Sequence, residues 1–232
     1  MKTLLTDYRI SIEEENTLKN LNFNILKVPP CKNLYTAVCG HPDMLLNIVE
    51  DNTIVLHKDI DKNFSDYLSS KYKNVIFSSK SLSNNYPDDI MLNALNLTEI
   101  FLHLLKYTDA NLLNLVSNKK MINIKQGYSK CSTAIINHNA IITSDTGIAK
   151  ALYTEKLDVL LLPPGDILLP GLDYGFIGGC CGLVEDNLLA FYGNLQFYKY
   201  GYEVISFLKK HKVEPLFLRN GKLIDRGSIF KL

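Results

Sequence analysis

Gly175-Phe176-Ile177-Gly178-Gly179-Cys180-Cys181-Gly182-Leu183-Val184-Glu185-Asp186-Asn187 is the stretch whose reading decides the fold. Two other stretches share its register. One is Gly40-His41-Pro42-Asp43, running to Val49-Glu50-Asp51-Asn52. The other is Gly127-Tyr128-Ser129-Lys130-Cys131, running to Ile135-Ile136-Asn137-His138-Asn139. In each, a glycine is followed by a ring, then an apolar run, then an asparagine twelve positions after the glycine. Two of the three end in Val-Glu-Asp-Asn. Shared spacing, shared ends and a shared apolar block are the mark of an internal repeat.

The elements on either side give the repeat its content. Around each asparagine, two short apolar runs alternate or stay fully apolar, as the arms of a hairpin do. The turn asparagines Asn52, Asn96, Asn139 and Asn187 are spaced by 44, 43 and 48 residues. The second unit reads as strands over 44–49 and 53–57, a helix over 61–72 with Phe64, Tyr67, Leu68 and Tyr72 on one stripe, and a strand over 74–77. Tyr86-Pro87-Asp88 echoes His41-Pro42-Asp43 and opens the third unit. There, strands are expected over 90–95 and 99–104, with a single helix over 90–105 as the alternative. A helix over 109–117 and a strand over 121–124 complete it.

The fourth unit has a hairpin over 132–136 and 140–143, a helix over 147–154 capped by Asp145, and a strand over 158–162. A long loop, 163–174, precedes the fifth, whose helix runs over 200–210 and last paired strand over 213–218. The first unit has a strand over 3–6, a helix from Ser11 with the Ser11/Glu14 capping box, and a strand over 24–28. It lacks an opening strand, while 223–230 is one strand too many. Pairing the two predicts a mixed α/β chain of five strand-strand-helix-strand units in a closed ring, one domain over 1–232, sealed by its C-terminal strand.

Composition narrows the function classes. Lys and Arg (25) nearly balance Asp and Glu (24), so bulk charge does not point to nucleic acid. No apolar run of about 18 residues is present to span a membrane, and charges in the first 28 residues argue against a secretory leader. An odd cysteine count, five, reads as reduced thiols in a cytoplasmic protein. No Cys/His spacing suits zinc and no Gly-Lys phosphate loop occurs.

Cys180 and Cys181 follow a glycine pair that lets backbone approach a ligand closely. Neighbours on a strand face opposite ways, so one of them is expected to face a central cavity, Cys181 ahead of Cys180. The competing reading makes both small core residues. His41 and Asp43 stand two apart, so on an extended segment they share a side, as an acid/base and its orienting carboxylate would. Alternatively, His41 ends a strand and Asp43 makes a turn. Tyr128 and Phe176 put rings at the register position of His41 and suit substrate binding or an axial lining. Asp88 and Asp89 suit a cationic group or a solvated loop. Cys131, Lys125 and Lys130 are expected to flank the axis without chemistry.

Five such units closed by the last strand resemble the pentein fold of guanidino-group-modifying enzymes, which includes deiminases, dimethylarginine hydrolase, amidinotransferases and a non-catalytic ribosome anti-association factor. His41-Pro42-Asp43 is similar to that fold's His-x-Asp, and Gly178-Gly179-Cys180-Cys181 to its glycine-rich cysteine loop. Gln126-Gly127-Tyr128, the run from Thr143 to Leu152 and Tyr174-Gly175-Phe176 also resemble an uncharacterised clostridial-type family placed in that fold. The resemblance implies a Cys-dependent hydrolase or amidinotransferase acting on a small guanidino or amidine compound through a covalent thioether. Cys181 or Cys180 would attack, His41 would handle protons, and Asp43, Asp88, Tyr128 and Phe176 would bind substrate, with no metal or organic cofactor. The alternative is a non-catalytic binding or interaction protein. A monomer or weak dimer is expected, with no nucleic-acid or membrane partner.

Overall fold

Ser11 shows how closely local chemistry sets the elements. Its hydroxyl accepts from the Glu14 amide at 3.2 Å while Glu14 accepts from the Ser11 amide at 2.8 Å, and helix α1 (Ile12–Asn20) starts there. The computed structural model describes residues 2–50, 53–71 and 74–232. Asp51 and Asn52 of one expected turn, and Tyr72 of one expected stripe, lie outside the described residues.

Strand β1 (Thr3–Asp7) precedes α1, and β2 (Asn24–Val28) pairs parallel to β1. A helical turn α2 (Pro42–Leu45) leads into β3 (Leu46–Glu50), β4 (Thr53–Leu56), α3 (Lys62–Lys71) and β5 (Asn74–Phe77). The third unit has β6 (Leu95–Asn96), β7 (Ile100–His103), α4 (Ala110–Leu115) and β8 (Lys120–Asn123). The fourth has β9 (Thr133–Asn137), β10 (Ala140–Thr143), α5 (Thr146–Thr154) and β11 (Asp158–Leu161). The fifth has β12 (Cys181–Glu185), β13 (Leu188–Phe191), α6 (Gly201–Lys210) and β14 (Glu214–Phe217), and β15 (Phe230–Lys231) follows.

These strands form five three-stranded sheets of one topology. In four of them an antiparallel hairpin is followed by a helical crossover to a parallel third strand, the length a parallel connection needs, and in the first sheet the same crossover joins β1 to β2. The last strand completes the first sheet: Leu4 and Leu5 of β1 stand opposite Lys231 and Phe230 of β15. Helices fill the wedges between sheets. Ile148, Ala149 and Leu152 of α5 pack on Leu95 and Leu102 of the preceding sheet as well as on Ile141 of their own. Val204, Phe207 and Leu208 of α6 do the same between Ile136 and Leu189, and Leu18 of α1 between Leu4 and Val184. Each fully buried leucine contributes roughly 2 kcal/mol of transfer free energy.

Three expectations are corrected. Residues 90–95 are neither a full strand nor a helix. The Asn93 amide bonds to Ile90 and that of Ala94 to Leu92, so the chain turns and only Leu95–Asn96 extends. Residues 44–49 do not begin as a strand. Pro42, with its fixed φ, starts a helical turn in which Asp43 sits, so His41 and Asp43 do not project from one extended segment. Residues 223–230 are not one strand. The Asp225 carboxylate accepts from the Gly227 amide at 3.0 Å, and Gly227 and Ser228 take φ of 70° and 74°. That turn aims Asp225 and Ser228 at the site.

Candidate functional site

The loops entering the first strands of the sheets meet one another, and the repeat register sorts their side chains into layers. One position after Gly40, Gly127 and Gly175 come His41, Tyr128 and Phe176, and all three line one cavity of about 260 Å³. Buried His41, Met44, Cys131 and Asp225 form its floor. Tyr35, Tyr128 and Phe176 wall it, and the loop over 163–174 adds Leu172 and Tyr174, 49% and 44% exposed, at its mouth. The rings of Tyr128 and Phe176 lie 6.2 Å apart, and Tyr174 meets Phe176 edge-on at 6.2 Å. Tyr128 is fixed by donating its hydroxyl proton to the buried Asp89 at 2.6 Å.

Asp225 takes the Phe176 amide on Oδ2 at 2.8 Å and the Gly227 amide on Oδ1. Burial pushes its carboxyl up, opposed by His41. His41 lies between two carboxylates, with Nδ1 3.7 Å from Asp225 Oδ1 and Nε2 3.9 Å from Asp7 Oδ2. Both distances are too long for hydrogen bonds, so both ring nitrogens are buried without a hydrogen-bond partner among the described residues. Burial pulls the imidazole down, against the pull of Asp225 and Asp7, and leaves it neutral near pH 7. Asp7 itself is held by Arg9, whose Nε and Nη2 donate at 2.9 and 2.5 Å.

Three positions after the same glycines stand Asp43, Lys130 and Gly178, and they converge on Ser228. The Ser228 hydroxyl accepts from Lys130 Nζ at 2.9 Å, and its single proton serves either Asp43 Oδ2 at 2.7 Å or the Gly178 carbonyl at 2.8 Å. Burial raises the Asp43 carboxyl, while Lys130 and Ser228 lower it. Lys130 Nζ also sits 5.3 Å over the Phe230 ring. Four positions on stand Met44, Cys131 and Gly179. The Asn93 side-chain amide donates to Cys131 Sγ at 2.9 Å, and its oxygen takes the Lys130 and Cys131 amides at 3.0 and 3.1 Å. Burial drives the Cys131 thiol well up, and the Asp43 and Asp225 charges push the same way. Gly179 has no room for a side chain, because a Cβ there would run into the Asp225 carboxylate.

Cys180 and Cys181 are not in this cavity's wall. Both are buried in the apolar seam with Ile177, Leu189 and Tyr198, and both thiols donate to the Ile177 carbonyl, at 3.1 and 3.3 Å. Burial raises Cys180 well above an ordinary thiol. Cys181 borders a second cavity, also about 260 Å³, lined by Asn47, Asn96, Ile135, Leu183 and Phe230, so that every sheet's first strand contributes. The cysteine that shares a cavity with His41 is Cys131. Asp43 turns to Ser228, and exposed Asp88 borders a separate surface hollow with Lys106. Asp225, Ser228 and Asn93 were hidden inside segments read as strands. Lys130 and Cys131 carried a usable signal, since they occupy the positions of Asp43 and Met44 in the register. Among the described residues, no three His, Cys, Asp or Glu side chains are grouped to hold a metal ion, and no helix is long and apolar enough to cross a membrane.

Solved structures of similar shape agree on the fold. Dimethylarginine dimethylaminohydrolase from Pseudomonas aeruginosa, solved with citrulline, is 9% identical, with 93% of this chain and 91% of that one covered and a TM-score of 0.56. Inosamine-phosphate amidinotransferase from Streptomyces griseus is 12% identical over 89% of this chain and 75% of that one, with a TM-score of 0.55. C. jejuni agmatine deiminase is 13% identical over 94% and 86%, with a TM-score of 0.52. All are pentein-fold guanidino-modifying enzymes, and the chain has that fold; identities this low carry the fold alone. No curated protein matches the chain in sequence. Residues 5–230 match the model of a family of unknown function, DUF6873, and the chain belongs to that family.

Proposed function

We propose that the protein binds a small guanidinium or amidinium cation in the cavity floored by His41, Cys131 and Asp225. One observation carries this reading: a buried carboxylate, Asp225, faces a small cavity whose other walls are mainly rings and apolar side chains. A desolvated carboxylate there gains from a cationic partner, and ring faces add cation–π attraction of about 1–2 kcal/mol. The kind of chemistry done by the pentein enzymes of similar shape agrees with such a ligand. We infer as well that the five sheets close into a ring, because one cavity is lined from all five first strands.

A second reading adds a covalent step, favoured by Cys131 and His41 bordering the same cavity. The Cys131 sulfur would add to the guanidinium carbon, forming C–S. The C–N bond to the leaving amine would break, the thiol proton passing by way of neutral His41 to that amine. Water would then cleave the thioether and restore the thiol. Burial holds the thiol protonated, and the seated cation would offset the Asp43 and Asp225 charges that add to that. On this geometry the nucleophile's place falls to Cys131 before Cys181 or Cys180.

Titration with methylguanidine, acetamidine and the neutral isostere methylurea tests the binding claim. The two cations are expected to raise the thermal midpoint in a saturable way, and methylurea to leave it unchanged. Equal responses to all three, or none to any, would refute it. Mapping of a chloroacetamidine adduct by peptide mass spectrometry addresses the second reading, with modification expected at Cys131 ahead of the other four cysteines.

A further inference from the structure

The cavity's composition says something about the far end of the ligand. All three arginines of the chain are committed elsewhere. Arg9 holds Asp7 and donates to the Thr36 and Ala37 carbonyls. Arg219 and Arg226 both pair with Glu14, and Arg226 also donates to the Arg9 carbonyl. Among the described residues, no lysine side chain lines the cavity. Lys130, the nearest in sequence to the floor, is directed to Ser228 and the Phe230 ring and borders the other cavity. The way out past the mouth runs between Leu169, Leu172, Tyr174 and Phe176.

A guanidine whose tail ends in a carboxylate would therefore carry an anion into a passage where no described arginine or lysine meets it, with Asp225 at the floor as a like charge. Desolvating an unpaired carboxylate is costly, and a like charge adds to the cost. An apolar tail meets the opposite situation: each methylene placed against Leu172 and the rings gains about fourfold in affinity. At about 260 Å³ the cavity also holds only a short tail.

Resting on the cation-binding reading above, we infer that the ligand is a guanidinium or amidinium cation on a short, uncharged, apolar tail. Free amino acids and other carboxylate-bearing guanidines are discriminated against at the rim. The pocket is built for alkyl- or arylguanidines and amidines.

Isothermal titration with methylguanidine, n-butylguanidine and 4-guanidinobutyrate separates the two levels of claim. The last two share the head group and the four-carbon chain and differ mainly in the terminal charge. The wild-type protein should bind n-butylguanidine at least about tenfold more tightly than 4-guanidinobutyrate. The variant Leu172→Lys places a cation at an exposed rim position and should narrow that ratio at least about threefold by improving 4-guanidinobutyrate binding. A wild-type ratio below about tenfold overturns the tail selectivity while methylguanidine binding leaves the cavity reading intact. An unchanged ratio in Leu172→Lys overturns its assignment to the rim. Failure of all three compounds, methylguanidine included, removes the cavity reading and this inference with it.

Discussion

Cys131 and the Cys180–Cys181 pair stand at the entrances to β9 and β12, the first strands of adjacent sheets, behind loops of the same register. Their surroundings differ completely. Cys131 is held by the Asn93 amide beside Asp43, with His41 and Asp225 bordering the same cavity. Cys180 and Cys181 lie among Ile177, Leu189 and Tyr198 and spend their protons on one carbonyl. On the proposed reading, the glycine-rich loop does not mark the cysteine that shares the cavity with His41. In the fifth unit the glycines let the loop pack closely on its neighbours. Gly178 lies against the Thr133 and Lys130 carbonyls and Gly179 against Asp225. The cysteines after them inherit a buried seam.

The largest expected effect probes the glycines. Gly179→Ala forces a methyl group into the Asp225 carboxylate and the turn it anchors, and should destabilise the protein by about 3 kcal/mol or more in urea unfolding. A loss below about 1 kcal/mol would mean that the Gly178-Gly179 loop is not the packing element described. Next come the cysteines. Cys180→Ser and Cys181→Ser bury hydroxyls in an apolar seam and should each cost about 1–3 kcal/mol without changing methylguanidine affinity. Cys131→Ser keeps a polar partner in Asn93 and should cost less than about 1 kcal/mol while abolishing chloroacetamidine modification. The reverse ranking would place the reactive sulfur in the other region.

Near neutral pH the smallest effect is a pH dependence shared between the site's loops and the core, and it grows toward acid. His103 donates from Nε2 to the Gly127 carbonyl at 2.8 Å and accepts the Thr108 hydroxyl at 2.6 Å, and burial pulls it down to about 4. Between that value and the ordinary 6.5, the unfolded chain binds the proton and the folded one does not. Stability from this group is therefore complete above 6.5 and lost as pH falls toward 4, at up to about 1.4 kcal/mol per pH unit. The raised carboxyls of Asp43, Asp89 and Asp225 act oppositely: the folded state binds more protons above 3.8, so their contribution falls as pH rises through their folded values. Urea midpoints measured across pH for wild type and His103→Gln should show the acid-side slope flattened in the variant; an unaltered slope would contradict this assignment.

The repeat was legible because its signals are local: a Ser11/Glu14 box, an Asp145 cap, hairpins at fixed spacing, and a spare last strand for the first sheet. The site was less so. His41, Tyr128 and Phe176 were found by register, and all three line the cavity. Asp225 and Ser228 were not, because apolar residues on either side made 223–230 look continuous, whereas the Asp225–Gly227 hydrogen bond and the positive φ of Gly227 and Ser228 break it. Which sulfur faces His41 depends on how Asn93, Cys131 and Gly179 pack from three separate units. No single stretch of sequence encodes that.

Asp225 supplies the direct test of the central claim. In Asp225→Asn, shape and at least one amide-accepting oxygen remain, and the negative charge at the cavity floor is gone. With both proteins confirmed folded by their thermal transitions, isothermal titration should show n-butylguanidine binding at one site in the wild type and at least about tenfold more weakly in the variant. Binding of equal strength in the two proteins would contradict the account.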